Sequence, residues 1–276
     1  MATPVVTLAN GIDIPQVGLG IFLMTNKDET AWAIKHALKV GYRHFDTAAV
    51  YGNEAELGRV LKDAAIARED LFLTSKVWND KQGYETTKQA FEESLEKLQT
   101  DYLDLYLIHW HGPHVKETWR AMEELYQAGK IKAIGVSNFS INHLEAMKEF
   151  ATIMPMVNQV ETHPYFPQDE LIAYLKKENI RHESWGPLSQ GKTDLLLHPV
   201  LAEIGEKYNK TPAQVVLRWH IDRGSIVIPK SINPGRIHEN FKLFDFSLTE
   251  VDMKAIAKLN IETRYGRDPE NTGFEW

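Results

Sequence analysis

Short apolar, β-rich runs alternate with longer amphipathic stretches along almost the whole chain. This rhythm constrains the fold more than any other feature, because repeated βα units place their strands side by side in a parallel sheet. The runs fall at Val17–Leu19, His44–Asp46, Leu71–Lys76, Leu103–His109, Ala133–Ser137, Met156–Gln159, His182–Trp185 and Ser225–Ile228. Helical periodicity lies between them near residues 28–40, 54–63, 85–99, 117–128, 141–150, 168–178, 212–222 and 237–242. Thr211-Pro212 shows one start signal, a capping hydroxyl just before a proline suited to the first helical position. Two further helices, near 199–208 and 249–258, fall outside the repeat. Val5–Leu8, Asn10-Gly11 and Ile12–Ile14 read as a hairpin ahead of it.

The predicted fold is therefore α/β: a (β/α)8 TIM barrel with an N-terminal β-hairpin and two extra helices. A chain of 276 residues suits one such barrel, and no linker rich in Pro, Gly or Ser divides it, so residues 1–276 are read as a single domain. A doubly wound dinucleotide sheet would carry Gly-x-Gly-x-x-Gly after its first strand. Here Gly18-Leu19-Gly20 runs on to Leu23, and that fingerprint is missing.

Composition narrows the function classes. The net charge is −7, from 31 basic and 38 acidic side chains that are interspersed, so nucleic acid is not an expected partner. No run of about 18 apolar residues offers a membrane span. Cysteine is absent, and Met1-Ala2-Thr3-Pro4 lacks the basic start of a secretory signal; both fit a cytoplasmic location.

In a barrel enzyme the chemistry lies at the C-terminal ends of strands. The second run ends at Asp46 and continues to Tyr51, the third ends at Lys76 and the fourth at His109. A tyrosine is a weak acid, with an ordinary pKa of about 10, and a nearby cation lowers it. Lys76 would supply that cation, Asp46 would hold the ammonium, and Tyr51 would protonate a developing alkoxide. His109, as neutral imidazole, would orient the carbonyl. Each residue alone has a duller explanation as a cap, a rim aromatic or a snorkelling lysine. Four together do not.

Gly41-Tyr42-Arg43-His44-Phe45-Asp46-Thr47-Ala48, followed by Tyr51-Gly52-Asn53-Glu54, resembles the aldo-keto reductase signature. Leu103–Trp110, Ile134–Phe139, Asn158-Gln159 and Ile228–Ser231 extend the resemblance in the family's order, over residues 5 to about 260. It implies that Asp46, Tyr51, Lys76 and His109 are the catalytic tetrad and that NADPH binds across the barrel mouth. It implies further that Trp185 stacks on the nicotinamide while Ser137, Asn138 and Gln159 bond its carboxamide. Gly186, Pro187, Leu188 and Gly191 belong to the same implied cofactor site. Lys230, Ser231, Arg236, Glu239 and Asn240 are the implied contacts of the 2′-phosphate and adenine end.

The stretch Glu183–Lys192 and Trp219-His220 look most like bacterial 2,5-diketo-D-gluconate reductases. The expected function is NADPH-dependent reduction of small aldehydes, ketones or keto-sugars by a monomer. Short loops imply a shallow mouth lined by Phe22, Trp78, His109 and Trp110. His111 stands where relatives commonly carry proline, and Asn233-Pro234-Gly235 replaces a more basic run. Two rival readings remain at this level: an NADPH-binding, redox-sensing barrel with little turnover, and a metal-dependent hydrolase built on His109, His111 and Asp46. No metal is expected, because carboxylate partners at comparable strand ends are not evident beyond Asp46.

Overall fold

The computed structural model describes residues 3–274. Strands β1 (Val5–Thr7) and β2 (Asp13–Pro15) form the expected antiparallel hairpin, with Val6 opposite Ile14. Eight parallel strands follow: β3 (Leu19–Gly20), β4 (His44–Asp46), β5 (Phe72–Val77), β6 (Leu103–Ile108), β7 (Ile131–Ser137), β8 (Val157–Glu161), β9 (Arg181–Trp185) and β10 (Ile226–Val227). Each pairs with its sequence neighbour. Val17 bridges Val227 in parallel, and the Gly18 amide donates to the Val227 carbonyl at 2.8 Å, so the last strand meets the first and the sheet closes into a barrel.

Around it lie α1 (Lys27–Val40), α2 (Glu54–Asp63), α3 (Tyr84–Leu98), α4 (Val115–Gln127), α5 (Ile141–Met147), α6 (Asp169–Lys177), α7 (Pro199–Tyr208), α8 (Pro212–Asp222), α9 (Pro234–Phe241) and α10 (Glu250–Ala257). Thr211 caps α8 in a reciprocal box with Gln214, with Pro212 in the first turn, as its sequence signal indicated. Helices α7 and α10 are the two additions.

Most boundaries shift by one or two residues, and three of the differences have a clear local reason. The first strand is Leu19–Gly20 and not Val17–Leu19, because Val17 makes only an isolated bridge at the closing seam. Helix α9 starts at Pro234 and not at 237: the Asn233 side chain accepts from the Arg236 amide at 3.1 Å, and proline occupies the first turn. Helix α5 stops at Met147 and not at 150, since residues 148–150 tighten into i to i−3 bonds such as Phe150 to Met147 at 3.1 Å.

The barrel strands are buried on both faces, which is why they read as apolar runs without clean alternation. All six residues of β5 are buried, Lys76 among them. Outside the barrel, α2 and α3 meet so closely that a Cβ on Gly58 would lie 2.5 Å from the Leu98 carbonyl. Backbone cannot yield as a side chain does, so Gly58→Ala is expected to lower stability by about 1–3 kcal/mol in urea unfolding. An unchanged midpoint would contradict that packing. Among the described residues, no helix is long and apolar enough to cross a membrane.

Candidate active site

Residues two apart on a strand share a face, so His44 and Asp46 on β4 point together, as do Thr74 and Lys76 on β5. That face is the barrel interior, because Asp46 Oδ2 accepts from Gln159 Nε2 at 2.8 Å although β4 and β8 are not neighbours in the sheet. Asp46 pairs in register with Thr74, which sets Lys76 one pleat nearer the rim. Its ammonium donates to Asp46 Oδ1 at 2.7 Å and to the Thr47 carbonyl at 2.8 Å. Both side chains are enclosed, at 0% and 3% exposure. Burial opposes the lysine charge, yet Asp46 and the neighbouring Tyr51 hold its pKa above the ordinary value.

Tyr51 ends a single 3-10 turn after β4, closed by Gly52 in the left-handed region. Lys76 Nζ lies 5.2 Å from the centre of its ring. Burial raises the phenol's pKa, Lys76 lowers it by charge and hydrogen bond, and Asp46 adds to the rise; the net direction is upward. The lowering expected from Lys76 is thus present but outweighed.

His109 meets Tyr51 edge-on at 5.7 Å and Trp78 at 5.0 Å. Burial first, and Lys76 second, hold its pKa well below the usual range, so the imidazole is neutral as expected. Its Nδ1 is buried with no hydrogen-bond partner, a rare condition for a polar atom inside a protein.

At the mouth, Phe22 is 44% exposed and packs on Tyr51 at 4.9 Å. Trp78 and Trp110 both meet the ring of Phe274, at 5.6 and 5.5 Å. The C-terminal segment therefore crosses the rim that short loops alone would leave shallow. It is clamped at Glu161, whose carboxylate accepts from the amides of Tyr265 at 2.7 Å and Gly266 at 2.8 Å.

His111 does not join His109. Its ring stacks on His143 of α5 at 3.9 Å, and burial followed by the charge of His143 lowers its pKa to about 4. Among the described residues no group of three or more His, Cys, Asp or Glu could hold a metal ion.

The residues implied for the nicotinamide end form one bonded patch where β7, β8 and β9 finish. Asn138, at φ +59, donates to the His109 carbonyl and to Ser137 Oγ, each at 3.0 Å, and accepts from Trp185 Nε1 at 2.8 Å. Ser137 Oγ donates to the Gln159 carbonyl at 2.9 Å. Gly186 and Gly191 take positive φ on either side of Pro187 and Leu188, bending this turn beside Trp185. At the other end, Ser231 is buried after β10, while Lys230 and Arg236 are exposed. Among the described residues neither cation is in an ion pair. Asn240 is buried on α9, and Glu239 is partly exposed beside it.

The aldo/keto reductase family profile matches residues 16–261. The chain belongs to the aldo/keto reductase family. It is 53% identical over 270 residues to glyoxal reductase of Bacillus subtilis, covering 98% of this chain and 97% of that one. It is 47% identical over 275 residues to methylglyoxal reductase DkgA of Yersinia pestis, covering 99% and 98%. The solved structure of a Gox0644 variant in complex with NADPH superposes with a TM-score of 0.93 at 45% identity, covering 99% of this chain and all of that chain.

Three parts of this aldo/keto reductase's site escape sequence reading. Asn53 fastens two rim loops, accepting from Thr47 Oγ1 at 2.7 Å and donating to the Ile21 carbonyl at 2.8 Å, which sets Phe22 beside Tyr51. Phe274 lies where no periodic pattern exists. Glu183 is legible only as an acid in the middle of a strand buried on both faces, a position a charge rarely occupies without a partner.

Proposed function

We propose that the chain is an NADPH-dependent oxidoreductase that reduces small aldehydes, ketones or keto-sugars to alcohols, with Tyr51 as general acid. The observation that carries the reading is the enclosed Lys76–Asp46 pair beside Tyr51, with neutral His109 edge-on to the same ring. A buried cation stabilises the phenolate that remains once Tyr51 has given its proton to the carbonyl oxygen. Asp46 keeps that cation in place, and neutral His109, edge-on to Tyr51, orients the carbonyl.

The chain's own residues fit a phosphorylated dinucleotide. Gln159 commits its side-chain amide nitrogen inward, to Asp46 and Glu183, which leaves its side-chain oxygen Oε1 to accept from a carboxamide N–H. Among the described residues Lys230 and Arg236 are in no ion pair; Arg236 lies in the first turn of α9, where the helix dipole also favours an anion, and Lys230 lies in the segment leading to it. When bound, the cofactor supplies a hydride to the carbonyl carbon. The names of the glyoxal and methylglyoxal reductase relatives support small dicarbonyls as substrates, and the diketogluconate-like segment at Glu183–Lys192 supports keto-sugars.

A panel of methylglyoxal, glyoxal and diketogluconate, run with NADPH and with NADH, tests reaction class and cofactor choice together. Turnover with NADPH is expected. Lys230→Ala and Arg236→Ala should each raise the KM for NADPH by about tenfold, the loss of one charge-assisted hydrogen bond, with little change for NADH. Binding of NADPH without oxidation by any substrate would instead favour the redox-sensing barrel.

A further inference from the structure

Beneath the Lys76–Asp46 pair lies a second acid. Glu183 on β9 has no exposed surface and stands in register with Gln159 on β8. Its Oε2 accepts from Gln159 Nε2 at 2.9 Å, and the same nitrogen donates to Asp46 Oδ2 at 2.8 Å, so one amide group spans two carboxyls. Its Oε1 has no hydrogen-bond partner and lies 3.6 Å from His44 Nε2.

The tautomer of His44 decides what that contact means. Its Nδ1 is 3.3 Å from the Pro15 carbonyl, which can only accept, so the proton resides on Nδ1, and the Nε2 lone pair accepts from Thr74 Oγ1 at 3.3 Å while its edge faces Glu183. Burial, against the Pro15 contact and aided by the charge of Lys76, lowers the pKa of this histidine to about 3, so it stays neutral. Gly18 is what admits the ring, since a Cβ there would lie 2.6 Å from Nδ1. A lone pair facing an ionised oxygen repels it. A neutral carboxyl at 3.6 Å is free of that repulsion.

On the reductase reading, we propose that Glu183, held protonated, is a positioning residue for proton transfer: it fixes the Gln159 amide, and through it Asp46 against Lys76, and its ionisation slows proton donation by Tyr51. The groups facing it are His44 and Asp46 from β4, Lys76 from β5 and Gln159 from β8. Burial and the charge of Asp46 push its carboxyl up to about 8, against the opposing pull of Gln159 and Lys76. A raised acid is uncharged below that value and gains its charge as pH rises through it. Ionised Glu183 adds a negative charge beside a pair that is otherwise balanced, and this disfavours the phenolate left on Tyr51.

The test is the pH profile of carbonyl reduction at saturating NADPH, for the wild type and for Glu183→Gln, which keeps shape and cannot ionise. The wild-type kcat is expected to fall about threefold to tenfold through a step near pH 8. Glu183→Gln should lack the step over the same pH range. A step that persists in the variant, or a uniform loss with an unchanged profile, overturns the proposal. The free wild-type protein gives a second readout: infrared difference spectra should show a protonated carboxyl lost over the same pH range, and its absence also overturns the proposal. Absence of carbonyl turnover at every pH defeats the reductase reading. A working enzyme without the step or the band defeats only the role of Glu183.

Discussion

Tyr51→Phe is expected to lower kcat for carbonyl reduction by about 10²–10⁴-fold, the range for removal of a positioned general acid, while NADPH affinity stays unchanged. The substitution deletes one hydroxyl and keeps the ring, so the contact with Phe22 at 4.9 Å and the edge-on contact with His109 at 5.7 Å both persist. The fold and the mouth are then preserved, and the loss reports proton delivery alone. Fluorescence titration with NADPH checks the first half, and steady-state turnover of methylglyoxal the second. Loss of cofactor binding would assign the hydroxyl to the cofactor. Unchanged turnover would remove Tyr51 from the chemistry.

The sharing of one rim by Asp46, Tyr51, Lys76 and His109 was legible because it follows from strand ends. Once the run His44–Asp46 and the run ending at Lys76 are neighbouring parallel strands, their terminal residues must meet, and the observed register Asp46 to Thr74 brings them within 2.7 Å. The sign of the tyrosine's shift was not legible. It depends on how burial weighs against a neighbouring charge, and neither quantity is written in residue spacing.

Helix α9 could have been read three residues earlier, since Asn233-Pro234 carries the same cap-then-proline logic as Thr211-Pro212. The contacts of Phe274 and the clamp at Glu161 are of another kind. They join residues about 100 positions or more apart through packing and two amide bonds, with no local periodicity to announce them. His111 shows the same limit: spacing sets it beside His109, but the fold turns it onto His143.

The Lys76–Asp46 pair carries the other large expected effect, this time on stability. Lys76→Met leaves the Asp46 carboxylate enclosed without its cation, and Asp46→Asn leaves the ammonium without its counter-charge, with only neutral acceptors such as the Thr47 carbonyl at 2.8 Å. Breaking one side of a buried pair costs about 3–5 kcal/mol, because the remaining charge is stranded away from water. The double variant strands no charge, so it should be clearly more stable than the sum of the two single losses implies. Urea unfolding of all four proteins gives the coupling as a thermodynamic cycle. Additive losses would mean that the two side chains do not sense each other. The activity pattern separates the roles further: all three variants should lose turnover, since each removes the cation beside Tyr51 or its anchor, but only the two singles should be markedly unstable. A double variant that is stable, folded and inactive would place the pair's value in the chemistry of the phenol and not in the fold.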